Sequence, residues 1–373
     1  MAELNKSGLI IDVYQFMRKS WWKMASVLLL SYVLIRGLLT PLKPGIVDCH
    51  PLVLWSGKAY SLDLELYNSK LKSGQGHLKA FLLYEDTLFC QVEEILIHSE
   101  NELTLTGRLP APMPDKLDAT SLTVVLDNEQ EGVMILPSKL VLRKGSEVTD
   151  TLVGNLGLTA WQKLLPGMFH YQRSVYYFPY RNILYETIRN TFFHVPMWFS
   201  MFLLLALSVI ASISFLYSRK LEYDILACSL IEVAIVFGIL GLITGSIWAK
   251  FTWGSWWTRD IKLNMSALTL LIYFAYLILR MAIPGRVERA TISSAYAILA
   301  LVCVIPMVFI LPRLTSSLHP GNGGNPAFGQ DDMDNSLRLV FYPAVLGFML
   351  LAVWIALLHY RVKRLELNKE EEN

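Results

Sequence analysis

Four of the chain's ten tryptophans fall within ten residues, at Trp248, Trp253, Trp256 and Trp257. Gly254 sits among them and lets the backbone turn closely. Lys250, Arg259, Asp260 and Lys262 give the stretch a rim of both charges. Clustered indoles with such a rim suit a large planar ligand that carries anionic groups. The competing account is a tryptophan belt at a membrane interface, although a belt spreads its rings over several helix ends. Two histidines outside the stretch offer metal-binding nitrogen: His194 in Thr191-Phe-Phe-His-Val-Pro196, and His319 in Ser317-Leu-His-Pro-Gly321. A neutral imidazole ligates a metal through one ring nitrogen. Taken alone, each is more often an ordinary interfacial or capping residue.

The elements that would position these groups are membrane helices. Of 373 residues, 54% are hydrophobic and only 17% charged, against about 25% charged in a soluble domain. A net charge of +2 excludes the dense cationic surface of a nucleic-acid binder. A spanning helix needs roughly 20 apolar residues. Six windows qualify: Met24–Leu42, Met197–Tyr217, Ile225–Ala249, Leu263–Leu279, Ser293–Leu311 and Leu339–Leu358. The expected fold is an α-helical polytopic membrane protein with six transmembrane helices. With the N-terminus inside, thirteen Lys/Arg fall on inner segments and five on the two short outer loops. That bias places both termini in the cytoplasm and the tryptophan loop, His194 and His319 outside. The first span lacks a convincing cleavage site and reads as a retained anchor. Pro196 fits the first turn of the second span, where its missing N–H costs nothing.

Residues 45–160 differ in character. Apolar and polar residues alternate in Leu62–Leu66, Glu102–Thr106 and Leu122–Leu126, and apolar runs recur at Phe81–Tyr84, Val133–Leu136 and Leu140–Leu142. Turn signals separate them at Ser73–Gly76, Pro110–Pro112, Asp127-Asn128 and Gly132. Short strands so spaced predict an all-β extracytoplasmic domain inserted in the first outer loop. It carries no catalytic motif, and a structural or docking role suits it. The expected division is 1–44 for the N-terminus and first helix, and 45–160 for the β domain. An aromatic-rich interfacial connector follows at 161–193, and a five-helix domain at 194–373. Cys49 and Cys90 both fall in the outer domain, as a disulfide or as two free thiols. Glu232 lies mid-span, either functional or a protonated carboxyl bonded to a neighbouring helix. Arg36 either snorkels outward or meets an anionic group of the ligand. The Gly-Asn run at 321–325 reads as a flexible loop or a hinge for His319, and the acidic run at Asp331–Asp334 as a solvated loop.

The tryptophan stretch resembles the "WWD" signature of haem-handling proteins, and the CcmC branch in particular. That branch has a Thr-Gly-Ser-x-Trp-Gly-Lys lead-in, matched by Thr244, Gly245, Ser246, Trp248 and Lys250. Its Trp-Gly-Thr-Trp-Trp-x-Trp-Asp core is matched by Trp253, Gly254, Trp256, Trp257 and Asp260. Departures are Ala249, Ser255, and Arg259 where the family has tryptophan; an arginine there suits a haem propionate. The family's Tyr-x-His-Val-Pro and Thr-Leu-His-x-Gly segments correspond to those around His194 and His319, with Phe192 in place of tyrosine. The likeness covers 185–360 well and 20–42 loosely.

The resemblance implies His194 and His319 as axial ligands of haem iron. It implies Trp248, Lys250, Trp253, Trp256, Trp257, Arg259 and Asp260 as further haem-binding residues. The haem would be haem b, held non-covalently and transiently, and passed to a chaperone during cytochrome c maturation in the bacterial inner membrane. Implied partners are a membrane-anchored CcmE-like haem chaperone and CcmA/CcmB-like subunits of an ATP-binding-cassette transporter. The chain lacks a Gly-x-x-x-x-Gly-Lys-Ser/Thr loop, so ATP hydrolysis would come from another subunit. The family reading is a delivery component rather than an enzyme. A cytochrome c haem lyase of the CcsA or CcmF type is the alternative, although Ile261-Lys262-Leu263 after the aspartate fits CcmC better. A membrane scaffold that binds no haem is a third reading.

Overall fold

The computed structural model describes residues 21–72, 78–85, 87–110, 119–128, 131–136, 139–144, 161–165, 177–319 and 333–372. They form two compact units, one of residues 1–40 with 186–373 and one of residues 41–185.

The first unit is a helical bundle: α1 (Trp21–Leu39), α2 (Thr191–Ser218), α3 (Leu221–Trp253), α4 (Ile261–Ala282), α5 (Arg286–Ile305) and α6 (Asn335–Glu372). All six are long and apolar enough to cross a membrane. α3, with 33 residues, is about 50 Å long and outreaches the ~30 Å hydrocarbon core. α2 packs against α3, α5 and α6, and α1 against α6. The α1–α6 contact is close because Gly347 leaves room for Leu29 and Leu30, and Ser26 donates to the Gly347 carbonyl at 2.9 Å.

Local chemistry sets the helix ends. Arg189 donates to the Gly37 and Thr40 carbonyls at 2.8 and 2.7 Å, which answers acceptors left open at the end of α1. Gly254, at φ 75°, ends α3 in the left-handed region. Asp260 caps α4 by accepting from the Lys262 amide. Asp334 accepts from the Ser336 amide at 2.8 Å at the start of α6, so it is a capping residue and not merely a solvated one. A 3-10 segment at Tyr185–Asn190 leads directly into α2. The helix therefore starts earlier than expected, and Pro196 lies inside it rather than in its first turn. After α5 a π-type stretch at Pro306–Ile310 and a 3-10 turn at Leu311–Arg313 begin where proline removes a donor.

Among the described residues the second unit has eleven strands: β1 (Gly45–His50), β2 (Val53–Trp55), β3 (Ala59–Tyr67), β4 (Leu78–Tyr84), β5 (Leu88–Gln91), β6 (Glu94–Ile97), β7 (Glu102–Arg108), β8 (Ala119–Asn128), β9 (Gly132–Ile135), β10 (Leu140–Arg143) and β11 (Gln162–Lys163). One sheet has the order β1-β3-β7-β6, the other β11-β5-β4-β8-β10-β2 with β9 on β8. Every ladder is antiparallel except β10 on β2. Leu62, Leu64 and Leu66 of β3 and Leu103 and Leu105 of β7 meet Leu82 of β4 and Leu122, Val124 and Leu126 of β8 in one core. The period-2 pattern puts these residues on one face. The run Phe81–Tyr84 does not alternate, and the alternation expected over Leu122–Leu126 breaks at Val125, because both faces are covered: Phe81, Leu83, Phe89 and Val125 form a second, smaller core. Asp127 and Asn128 pair with β4 and β9 and end β8, and the Asn128 carbonyl accepts from the Glu131 amide at 3.2 Å where the chain turns into β9, as expected. Cys49 and Cys90 are buried free thiols, and burial pushes each up to about 12. Trp161 packs edge-on against Tyr84 at 5.4 Å, and Tyr180 stacks on Tyr67 at 5.6 Å. These connector aromatics belong to the β unit.

Candidate functional site

His194 lies in the first turns of α2 and meets α3 side-on. Its Nδ1 is 3.1 Å from the Gly241 carbonyl and 3.1 Å from Thr244 Oγ1. A carbonyl only accepts, so Nδ1 carries the proton and Nε2 the lone pair. Close approach depends on two glycines one turn apart. A Cβ on Gly245 would lie 2.7 Å from His194 Cε1, and one on Gly241 would lie 2.8 Å from the Trp198 ring. Trp248, three residues beyond Gly245, meets the imidazole edge-on at 5.8 Å, and Trp198 does so at 6.4 Å. The Trp248 indole donates to Thr187 at 3.2 Å, and Asn190 donates to the Thr244 carbonyl at 3.0 Å. These bonds tie the segment before α2 to α3.

His319 is held by the loop that follows α3. Its Nδ1 is 3.0 Å from Asp260 Oδ1, and Asp260 Oδ2 accepts from the Leu318 amide at 2.7 Å. Burial works to raise the Asp260 pKa, but hydrogen bonds from Ser317, Leu318 and Lys262 and the nearby imidazole outweigh it and hold the carboxyl below its usual value. Burial lowers the His319 pKa; the Asp260 charge offsets this in part, Lys262 adds to it, and the net direction is down. The pair is thus a neutral imidazole donating from Nδ1 to a carboxylate, which again leaves the lone pair on Nε2. Carboxylate–histidine pairs of this kind orient metal-binding imidazoles. Trp253 packs edge-on against the His319 ring at 4.9 Å.

The expected residues therefore divide by role. Trp248 contacts His194, and Trp253 contacts His319. Trp256 and Trp257 are 56% and 42% exposed, and Trp257 donates to Asn264 at 3.2 Å. No ring contact joins the four indoles among the described residues, so they do not stack on one another; Trp248 and Trp253 each pack on one imidazole instead. Asp260 is buried and positions His319, whereas the sequence placed it on a charged rim. Lys250 donates to the Gly254 carbonyl at 3.1 Å and steadies the turn. Ser246 Oγ does the same by donating to the Trp256 carbonyl at 2.7 Å. Arg259 is exposed and makes no side-chain hydrogen bond or ion pair among the described residues.

Sequence reading missed Gly241, Trp198, Thr187 and Asn190. The available signal was Gly241-x-x-x-Gly245 inside an apolar span, a spacing that lets another helix approach closely. Glu232 lies apart from this site. It accepts from Lys363 Nζ at 2.6 Å, meets His359 Nε2, and takes a weak bond from Cys228 at 3.4 Å. It is a paired carboxylate between α3 and α6. Arg36 sits in the last turn of α1. The 321–325 hinge and residues 331–332 lie outside the described residues.

A family model described as heme exporter protein C (CcmC) matches residues 157–373. The chain belongs to the CcmC family. Heme exporter protein C of Escherichia coli K12 is 27% identical over 180 residues, covering 47% of this chain and 70% of the relative. That of Bradyrhizobium diazoefficiens is 30% identical over 180 residues, covering 46% and 64%. The cytochrome c biogenesis protein CcsA of Prochlorococcus marinus subsp. pastoris is 36% identical over 104 residues, covering 28% and 32%. The family match includes α2 to α6 and leaves most of the β unit outside it.

Proposed function

We propose that this chain binds haem b reversibly between His194 and His319 and delivers it during cytochrome c maturation. The observation that carries the reading is the matched state of the two imidazoles. Each donates from Nδ1 to a fixed protein acceptor, which leaves Nε2 as the nitrogen for iron. His194 is fixed against α3 by a helix carbonyl, and His319 by a carboxylate. Trp248 and Trp253 brace the two rings. Exposed Trp256 and Trp257 offer apolar faces to the porphyrin edge, and exposed Arg259 and Lys250 offer positive charge to its propionates. No side chain here forms a covalent bond to the porphyrin, so cargo held by two exchangeable ligands can leave.

In this reading the site faces the outside of the bacterial inner membrane and both termini are cytoplasmic. A CcmE-like chaperone receives the haem, and CcmA/CcmB-like subunits supply ATP hydrolysis. The names of the relatives and the Lys/Arg distribution support it. The test is an absorption spectrum of detergent-purified protein after haem addition. A Soret band of a bis-histidine haem is expected, altered in His194→Ala and in His319→Ala. Unchanged spectra in both variants overturn the ligand assignment.

The likeness to CcsA favours a second reading, a haem lyase. Haem joined covalently to a cytochrome c peptide by this chain alone would support it.

A further inference from the structure

Thirty residues before Gly254 on α3, Asp224 faces a cavity of about 460 Å³. At 1.5 Å per residue this is about 45 Å from the tryptophan loop, so the cavity is no part of the site above. It opens where the end of α4, the start of α5, the start of α3 and the later turns of α6 come together. Leu221, Leu277 and Met281 supply apolar lining. Met281 is 80% exposed, so the apolar wall runs out onto the outer surface of the bundle.

Much of the remaining lining is charged. It holds four cations, Arg280, Arg286, Arg289 and Lys363, against the carboxylates of Asp224, Glu232 and Glu366. Arg280 is engaged by Asp224 through two bonds of 2.6 and 2.9 Å. Lys363 is engaged by Glu232 at 2.6 Å. Arg289 differs: its Nε is buried and has no hydrogen-bond partner among the described residues. Buried donors left unpaired are uncommon in native proteins, and a bound group is a recurrent reason for one. A guanidinium matches a phosphate in geometry as well as charge.

We propose that this cavity binds the phosphodiester of an anionic phospholipid. Arg289 is its principal donor, Arg286 a second cation at its mouth, and an acyl chain lies along Leu277 and Met281. The apolar wall, at the end of helices long enough to cross a membrane, favours a lipid over a free anion. Asp224 and Glu232 each already answer a cation, which leaves the two arginines Arg286 and Arg289 against the single carboxylate of Glu366 in the lining.

The test is native mass spectrometry of the full-length protein in neutral detergent. It is offered phosphatidylglycerol, phosphatidylcholine of the same chains, or inorganic phosphate. Wild-type protein should retain phosphatidylglycerol in preference to phosphatidylcholine. Arg289→Gln should weaken that retention about tenfold, the worth of one charge-assisted bond, and Arg289→Lys should restore part of it. Met281→Asp changes an exposed position without touching the packed interior, and it should also weaken retention by repelling the headgroup. Equal retention of both lipids, or wild-type retention by Arg289→Gln and Met281→Asp, overturns the proposal. Binding of inorganic phosphate with the same Arg289 dependence, and none of phosphatidylglycerol, overturns the lipid assignment in favour of a free anion.

Discussion

Asp260 couples His319 to the start of α4. One carboxylate oxygen accepts from His319 Nδ1 at 3.0 Å and from the Lys262 amide at 2.9 Å, so the imidazole is oriented by the group that caps a helix. Asp260→Asn separates the two roles. Asparagine caps about as well as aspartate, but it lacks the charge that favours Nδ1–H. Haem affinity should fall about 10- to 100-fold, the usual cost of losing such a partner, with little change in thermal midpoint. A haem titration of the purified variant measures this; affinity equal to wild type would show that Asp260 does not serve the ligand.

Gly245 is where α3 makes room for the other imidazole. Alanine there puts a Cβ 2.7 Å from His194 Cε1, too close to coexist with the present ring position. Alanine is also the better helix former by about 1 kcal/mol, so the helix itself should not weaken. Gly245→Ala should therefore keep its thermal stability yet shift the Soret band toward that of His194→Ala. A wild-type spectrum would mean that the His194 ring does not have to stay against α3.

The His319 pKa lies below the ordinary 6.5, with burial as the largest cause. An unfolded histidine takes up a proton near pH 6.5, but the folded one resists until the pH is lower. The stabilisation from keeping this ring neutral is complete above pH 6.5 and is lost as pH falls from there through the folded value. Asp260, held below 3.8, contributes stability above pH 3.8 that is lost as pH falls through its own lower folded value. Proton competition for iron at His319 should follow the same sign. Haem retention should not decline on this account from neutral pH down to 6.5, and should decline below it. A Soret titration whose acid limb from His319 sits above 6.5 would contradict this.

Much of this was legible in the sequence because single-segment patterns carry it. Six apolar windows became six helices, and the alternation at Leu62–Leu66 and Glu102–Thr106 became β3 and β7. The tryptophans and both histidines announced a site by residue type. What could not be read was pairing across segments. The Asp260–His319 bond joins residues 59 apart, and the His194–Gly241 bond joins residues 47 apart. Gly241 has no side-chain chemistry of its own, and it matters because Trp198 packs against it and its carbonyl accepts from His194. Asp260 looked like a rim charge because its burial depends on a loop from elsewhere in the chain. The start of α2 was misplaced because Tyr185–Asn190 is polar yet continues into the helix. Strands β1, β2, β5, β6 and β11 were missed because two to six residues give too few periods for alternation to show.

Asp224 and Arg280 form a bidentate pair with both side chains largely buried, 7% and 13% exposed. Such a pair contributes little beyond an apolar substitute, but removing one partner leaves a buried charge unanswered at a cost of about 3–5 kcal/mol. Asp224→Ala should therefore lower the bundle's stability by about that amount. The double change Asp224→Ala with Arg280→Met should recover most of the loss, because no orphan charge remains. The site lies about 45 Å away along α3, so the haem spectrum of the folded fraction should stay as in wild type. Thermal unfolding of the three proteins in one detergent checks the cycle. Additive losses in the double variant would show that each residue acts through separate contacts and that the pair carries no coupling of its own.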